Sequence, residues 1–190
     1  MKTQLMMLTL AISCAFAGNA MAMSKAEYKA QKDTVSADYK ASKKSCKPLK
    51  GNAQDICESE AKGVKNVAMA QLEAQYKPSP KHDYKVREAK ADAAYDTAKE
   101  KCDDLAGNGK TVCKKDAKAA HVAALADAKV VKTSEVTSKD KAEKVANARK
   151  DASEDKRDAE YAAAKARCDA FAGGPRDTCL AEAKMKYGKS

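Results

Sequence analysis

The sequence predicts an all-α protein of three tandem helix–turn–helix hairpins, each closed by one intra-hairpin disulfide, elongated or loosely bundled. Three observations carry that expectation. The six cysteines from Cys46 onward form three C-x10-C pairs. The same landmark residues recur around each pair. The flanking segments are rich in Ala, Lys, Glu and Asp, most of which favour helix.

Residues 1–22 read as a signal peptide. Lys2 supplies a basic start, an apolar run follows from Leu5 to Phe16, and Ala20 and Ala22 fit the small-residue pattern of a cleavage site before Met23. The run is too short to span a bilayer. Cys14 opens an alternative in which a lipidated cysteine begins the mature chain, but the apolar pattern continues past it. Cleavage before Met23 removes only Lys2 among the charges, which takes the net charge from +10 to +9. No transmembrane segment is expected after processing. The six remaining cysteines are an even number in an exported chain, which reads as a disulfide framework.

Three repeats follow: 23–77, 84–131 and 139–190. Tyr39, Tyr95 and Tyr161 lie seven residues before the first cysteine of each pair, and Lys43, Lys99 and Lys165 three before it. Leu49, Leu105 and Phe171 lie three after it, and Gly51, Gly107 and Gly173 five after it. Ala61-Lys62, Ala117-Lys118 and Ala183-Lys184 stand at plus four and plus five from the second cysteine. Tyr28 and Tyr84 precede Tyr39 and Tyr95 by eleven residues, whereas the third repeat has Lys150 there. Spacings of eleven and seven keep Tyr and Cys on one helical stripe, so the tyrosines are expected as the bulkiest part of each hairpin core.

The glycines locate the turns. Each is a natural C′ residue, where a positive φ is needed. Asn52 and Asn108 follow as candidate N-caps, and Gly174-Pro175 begins the last helix with a proline suited to a first turn. Residues 78–83 read as a proline-containing linker and 132–138 as a second linker. The stretch from Val130 to Asp140 contains no proline, so a continuous helix is an alternative there, with Ser138 as a possible cap if it breaks.

The turn positions decide the cysteine pairing. In one unbroken helix, cysteines eleven apart would stand about 16.5 Å apart along the axis. A disulfide needs Cα atoms within about 7 Å. A hairpin turning at the glycine brings the two to the same height. The expected pairs are therefore Cys46–Cys57, Cys102–Cys113 and Cys168–Cys179, one of fifteen possible patterns. The core is thin: there is no Trp, Phe171 is the only Phe beyond the leader, and alanine dominates. Staples compensate for such a core.

No catalytic, cofactor-binding or metal-ligating set emerges. Zinc sites use closely spaced cysteines, and no C-x-x-C marks a redox enzyme. His82 and His121 sit at no shared landmark and read as isolated, exposed side chains. Asp103-Asp104 read as part of a solvated face. Lys43, Lys99 and Lys165 are the candidate anion-contacting residues, although lysines interleaved with acids usually cover a solvated face. A positive net charge favours anionic partners, without any motif for specific nucleic-acid recognition.

The repeated pattern, shown by Tyr95-Asp-Thr-Ala-Lys-Glu-Lys-Cys102-Asp-Asp-Leu-Ala-Gly107 with the later Cys113, resembles a group of Ala/Lys-rich exported proteobacterial proteins. Some of these are labelled cell envelope biogenesis or TolA-like. TolA itself is membrane-anchored, and its stalk is not built from stapled hairpins. The resemblance implies an exported helical protein of the cell envelope and no functional residues. The expected function is a non-catalytic envelope protein, a structural or protein-interaction module in the periplasm or secreted. The alternative is a periplasmic holdase-type chaperone or a binder of polyanions, lipopolysaccharide or nucleic acid. The partner, an envelope protein or an anionic polymer, and the oligomeric state stay open.

Overall fold

The computed structural model describes residues 23–189. The expected signal peptide, its cleavage site and Cys14 lie outside the described residues. Six helices run in chain order: α1 (Lys25–Cys46), α2 (Asn52–Tyr76), α3 (Pro80–Cys102), α4 (Gly107–Glu135), α5 (Lys141–Cys168) and α6 (Gly174–Tyr187). The described residues contain no strand.

The starts of α1 and α3 follow directly from sequence. Ser24 caps α1 in a capping box: its hydroxyl accepts from the Glu27 N–H at 3.2 Å, and the Glu27 carboxylate accepts from the Ser24 N–H at 2.8 Å. Those hydrogen bonds hold the Glu27 carboxyl below its usual range. Ser79 caps α3 by accepting from the His82 N–H, and Pro80 occupies the first turn.

This shortens the expected linker 78–83 to residues 77–79. Pro80, expected to break the chain, starts a helix instead, because a proline without an N–H is at no disadvantage in a first turn. The second linker also moves. α4 continues to Glu135 and the break falls at 136–140, so the helix is not continuous between the second and third repeats. Asp140, not Ser138, holds the N-cap position of α5, without a side-chain cap.

Three disulfides close the hairpins α1–α2, α3–α4 and α5–α6. They join Cys46 to Cys57, Cys102 to Cys113 and Cys168 to Cys179, each with 5.6 Å between Cα atoms. Gly51, Gly107 and Gly173 have φ of 56°, 55° and 60°. The positive φ agrees with expectation, but the role differs. Gly51 and Gly173 are N-caps of the second helix of their hairpins, with ψ near −145°, a region essentially restricted to glycine. The first helix ends earlier, at the cysteine. Asn52 and Asn108 therefore fall inside the next helix and cap nothing. Asn52 instead donates from its side chain to the Glu100 carbonyl at 2.7 Å, across to α3.

Every pair of helices in contact is consecutive in the chain: α1–α2, α2–α3, α3–α4, α4–α5 and α5–α6. The molecule is thus an antiparallel meander one helix thick. The stapled turns stand at one end, and turns 77–79 and 136–140 at the other. The expected all-α architecture of three disulfide-closed hairpins is the one adopted, with each hairpin packed against the next.

The core is alanine and cystine. Cys46, Cys102 and Cys168 are at most 1% exposed, and among the described residues Leu72 is the one large aliphatic side chain that is buried. α4 and α5 together bury Ala126, Ala128, Ala148, Ala152, Ala163 and Ala166. Small side chains let helices approach closely. A Cβ placed on Gly63 of α2 would lie 2.8 Å from the Ala93 Cβ of α3. The tyrosines are not the core: Tyr28, Tyr39, Tyr84, Tyr95 and Tyr161 are all half-buried. An antiparallel layer of two close helices leaves no interior large enough for a phenol ring, so the rings lie along its surface.

Candidate functional site

The hairpin register organises the surface. Tyr39 is seven residues before Cys46, and Lys65, eight after Cys57, stands over its ring at 4.8 Å from the centroid. The same step from the disulfide places His121 against Tyr95, stacked at 4.6 Å, and Tyr187 against Tyr161, tilted at 6.2 Å. Further along, Tyr28 stacks on Tyr76 at 4.4 Å, and Lys132 sits over Tyr84 at 4.8 Å. Each recurrent tyrosine therefore faces a cation or a ring on the partner helix of its own hairpin.

This corrects the reading of both histidines. His121 does occupy a shared position, equivalent to Lys65 and Tyr187, each eight after the second cysteine of its hairpin. Its side chain is only 10% exposed, and its Nε2 lies 2.6 Å from an Asp92 carboxylate oxygen on α3. The Nδ1 is buried without a partner. His82 is engaged too: its ring nitrogen Nδ1 lies 2.5 Å from the Lys77 carbonyl, in the first turn of α3. Antiparallel pairing mirrors positions across the disulfide, so the residues that face the tyrosines share an offset without sharing a residue type.

The three candidate anion-contacting lysines part company. Lys43 forms an ion pair with Glu58 on α2 at 3.2 Å. Lys99 pairs with Asp96 on its own helix at 3.1 Å, whose hydrogen bond raises the Lys99 amine above its usual range. Position 58 explains the difference. Its counterpart in the second repeat is Lys114, which offers no carboxylate to Lys99. Lys165 has no carboxylate within ion-pair distance among the described residues, and lies over the Tyr161 ring at 5.6 Å.

The structure brings Lys43 and Lys99 to opposite walls of one open groove above α2, between α1 and α3, where Lys62 pairs with Asp96 at 3.6 Å. Lys165 lies away from it, on the third hairpin. Acids Asp55, Glu58, Asp96 and Glu100 share the groove, so its field is mixed. Glu58 accepts hydrogen bonds from Gln54 and Lys43, which hold its carboxyl low.

Further along the same side of α2, Glu73 is a hub. It accepts from the Tyr28 hydroxyl and lies 3.8 Å from Lys77 and 4.0 Å from His82. The Tyr28 hydrogen bond, then the nearby cations, hold the Glu73 carboxyl below its usual range, and the same bond raises the Tyr28 phenol.

Asp103 is tied to Lys114 at 2.7 Å and Lys110 at 3.0 Å, which lowers its carboxyl. It therefore braces the second stapled turn. Among the described residues no three His, Cys, Asp or Glu side chains gather as a metal-ligand set, and no helix is long and apolar enough to cross a membrane. No family model, no curated protein and no solved structure matches this chain.

Proposed function

We propose that the chain is a non-catalytic exported protein of the cell envelope, a structural or protein-interaction module made of basic helical hairpins. The observation that carries this reading is the single-layer packing. Among the described residues each helix touches only its chain neighbours, and none of them covers the broad faces or the outer sides of α1 and α6. Three disulfides suit an oxidising compartment. The charged groups are spent on bracing this layer: Glu58, Asp96 and Asp103 each hold a lysine.

Crosslinking in intact cells, followed by identification of the captured protein, tests the reading. Recovery of one defined envelope protein is the expected result. Recovery of the chain in the cytoplasm with reduced cysteines would overturn it. A second reading, a holdase-type chaperone or polyanion binder, draws on Lys165, which has no carboxylate neighbour among the described residues, and on the net charge of +10. Polyanion binding of that kind weakens steeply with added salt. A holdase suppresses aggregation of an unfolded client, so no suppression at stoichiometric excess removes the chaperone half of that reading.

A further inference from the structure

Helices α1 and α5 carry the same stripe. Ala26, Ala30, Asp33, Ala37 and Ala41 of α1 repeat Ala148, Ala152, Asp155, Ala159 and Ala163 of α5, at 20, 16, 13, 9 and 5 residues before the first cysteine of each hairpin. Steps of four, three, four and four keep each set on one helix face. On α5 that face packs against α4: Ala148, Ala152 and Ala163 are 5%, 6% and 2% exposed, and the Lys129–Asp151 and Lys156–Asp127 pairs flank them. On α1 all five residues are exposed.

Helix α3 obeys the same rule. Its residues at the last two of these positions, Ala93 and Thr97, face Gly63 and Ser59 of α2. In both cases the covering helix is the second helix of the preceding hairpin. Among the described residues no hairpin precedes α1 and none follows α6. The layer therefore ends in two unmatched halves of one joint.

The half on α6 fits by register. Ala181 and Met185 stand two and six residues after the second cysteine, the places of Ser59 and Gly63 on α2. In the register of the α2–α3 joint, Ala181 of one copy meets Ala41 of another, and Met185 meets Ala37. Met185 is 76% exposed, so this contact removes a large apolar side chain from water. The ion pair of the joint has its counterpart too. Glu60 holds Lys101 at 3.0 Å between the first and second hairpins, and Asp116 holds Arg167 between the second and third. Glu182 occupies the same position on α6, exposed and without a cation in ion-pair distance among the described residues. Helix α1 has Ser45 at the cation's place and offers Lys44 beside it. Two α1 helices packed antiparallel through their stripes would instead set Lys29 beside Lys40, and Glu27 beside Asp38, of the other copy. That places like charges together on both flanks.

We propose that the chain associates with copies of itself head to tail. The outer side of α6 of one copy lies antiparallel on the outer side of α1 of the next, so the joint used twice within the chain also links chains. Such a heterologous contact closes into a ring or runs on as a filament. It depends neither on the compartment nor on an envelope partner.

The experiment is sedimentation velocity of the oxidised protein over a rising concentration series, with two exposed positions altered: Ala37→Glu on α1 and Met185→Glu on α6. The mass of the parent is expected to rise with concentration past that of a dimer, or to stop at a closed ring. Each variant keeps one intact half and sediments as a monomer, with helix content and melting temperature unchanged. Mixed in equal amounts, the two variants form a dimer and nothing larger. The α6 half of the Ala37→Glu chain then meets the α1 half of the Met185→Glu chain.

Three results would overturn the proposal. The parent is a monomer at every concentration. Met185→Glu still dimerises, which makes α1 its own partner. The mixed variants stay monomeric. None of these bears on the envelope reading, which capture in intact cells tests by itself.

Discussion

The stapled and unstapled helix pairs hold together by different means. In α1–α2 the only buried residue that α1 contributes is Cys46, and α6 contributes only Ala183 to α5–α6. The unstapled pairs α2–α3 and α4–α5 pack along more of their length than either terminal hairpin. They have Gly63 against Ala93, the Lys62–Asp96 pair, and ion pairs from Lys129 to Asp151 and Lys156 to Asp127. Exposed ion pairs are each worth about 0–1 kcal/mol, so close alanine packing carries most of that cohesion. Crosslink and packing alternate along the chain, and each is strongest where the other is weak. The covalent hairpin is the repeat in sequence, while the better packed unit straddles two repeats.

Reduction of all three disulfides breaks this division most severely. Each short loop contributes about 3 kcal/mol through the unfolded state, and a domain has only about 5–15 kcal/mol in total. Melting with and without reductant is expected to show a large fall. Hydrogen exchange sharpens the comparison: amides of α1 and α6 lose protection first, and those of α2 to α5 last. Equal loss in all six helices would contradict the division.

Leu72→Ala comes next, since it removes the one large buried aliphatic side chain from α2. Denaturant titration should read a loss of about 2–5 kcal/mol. Gly63→Val attacks the α2–α3 contact from the other direction, by overfilling it, at a cost of about 1–3 kcal/mol. An unchanged denaturation midpoint would mean that the two helices are not held that close.

The smallest effect belongs to Glu73, in the stapled hairpin α1–α2. Its carboxyl is held below the usual range chiefly by the Tyr28 hydrogen bond. A folded-state value below the unfolded one means that this stability is present above the ordinary carboxylate range and is lost as pH falls through the lowered value. Tyr28→Phe should move the Glu73 titration, followed by carboxyl NMR, back toward ordinary values and weaken the acid sensitivity. A Glu73 titration unmoved by Tyr28→Phe would place the cause elsewhere.

The staples were legible because cysteine, glycine and tyrosine recur at fixed offsets and a disulfide tolerates only one geometry for C-x10-C. The helix starts were less so. Pro80 reads equally as breaker and as first-turn residue, and only the preceding Ser79 separates the two. The contacts of His121 were illegible as a repeat because its counterparts are Lys65 and Tyr187, three side chains with little in common except that each can lie against a phenol ring. The union of Lys43 and Lys99 in one groove was out of reach for another reason. It depends on α2–α3 packing, which rests on alanine and glycine, residues that permit close approach without naming a partner.

The pairing of the cysteines has a consequence for how the chain acquires them. In order of appearance they pair first with second, third with fourth and fifth with sixth. A chain oxidised progressively from its N-terminus meets each correct partner as the next thiol to arrive, after the shortest loop available. Thiol exchange then has no crossed bridge to undo, and the order of emergence itself encodes the native pattern without an isomerase.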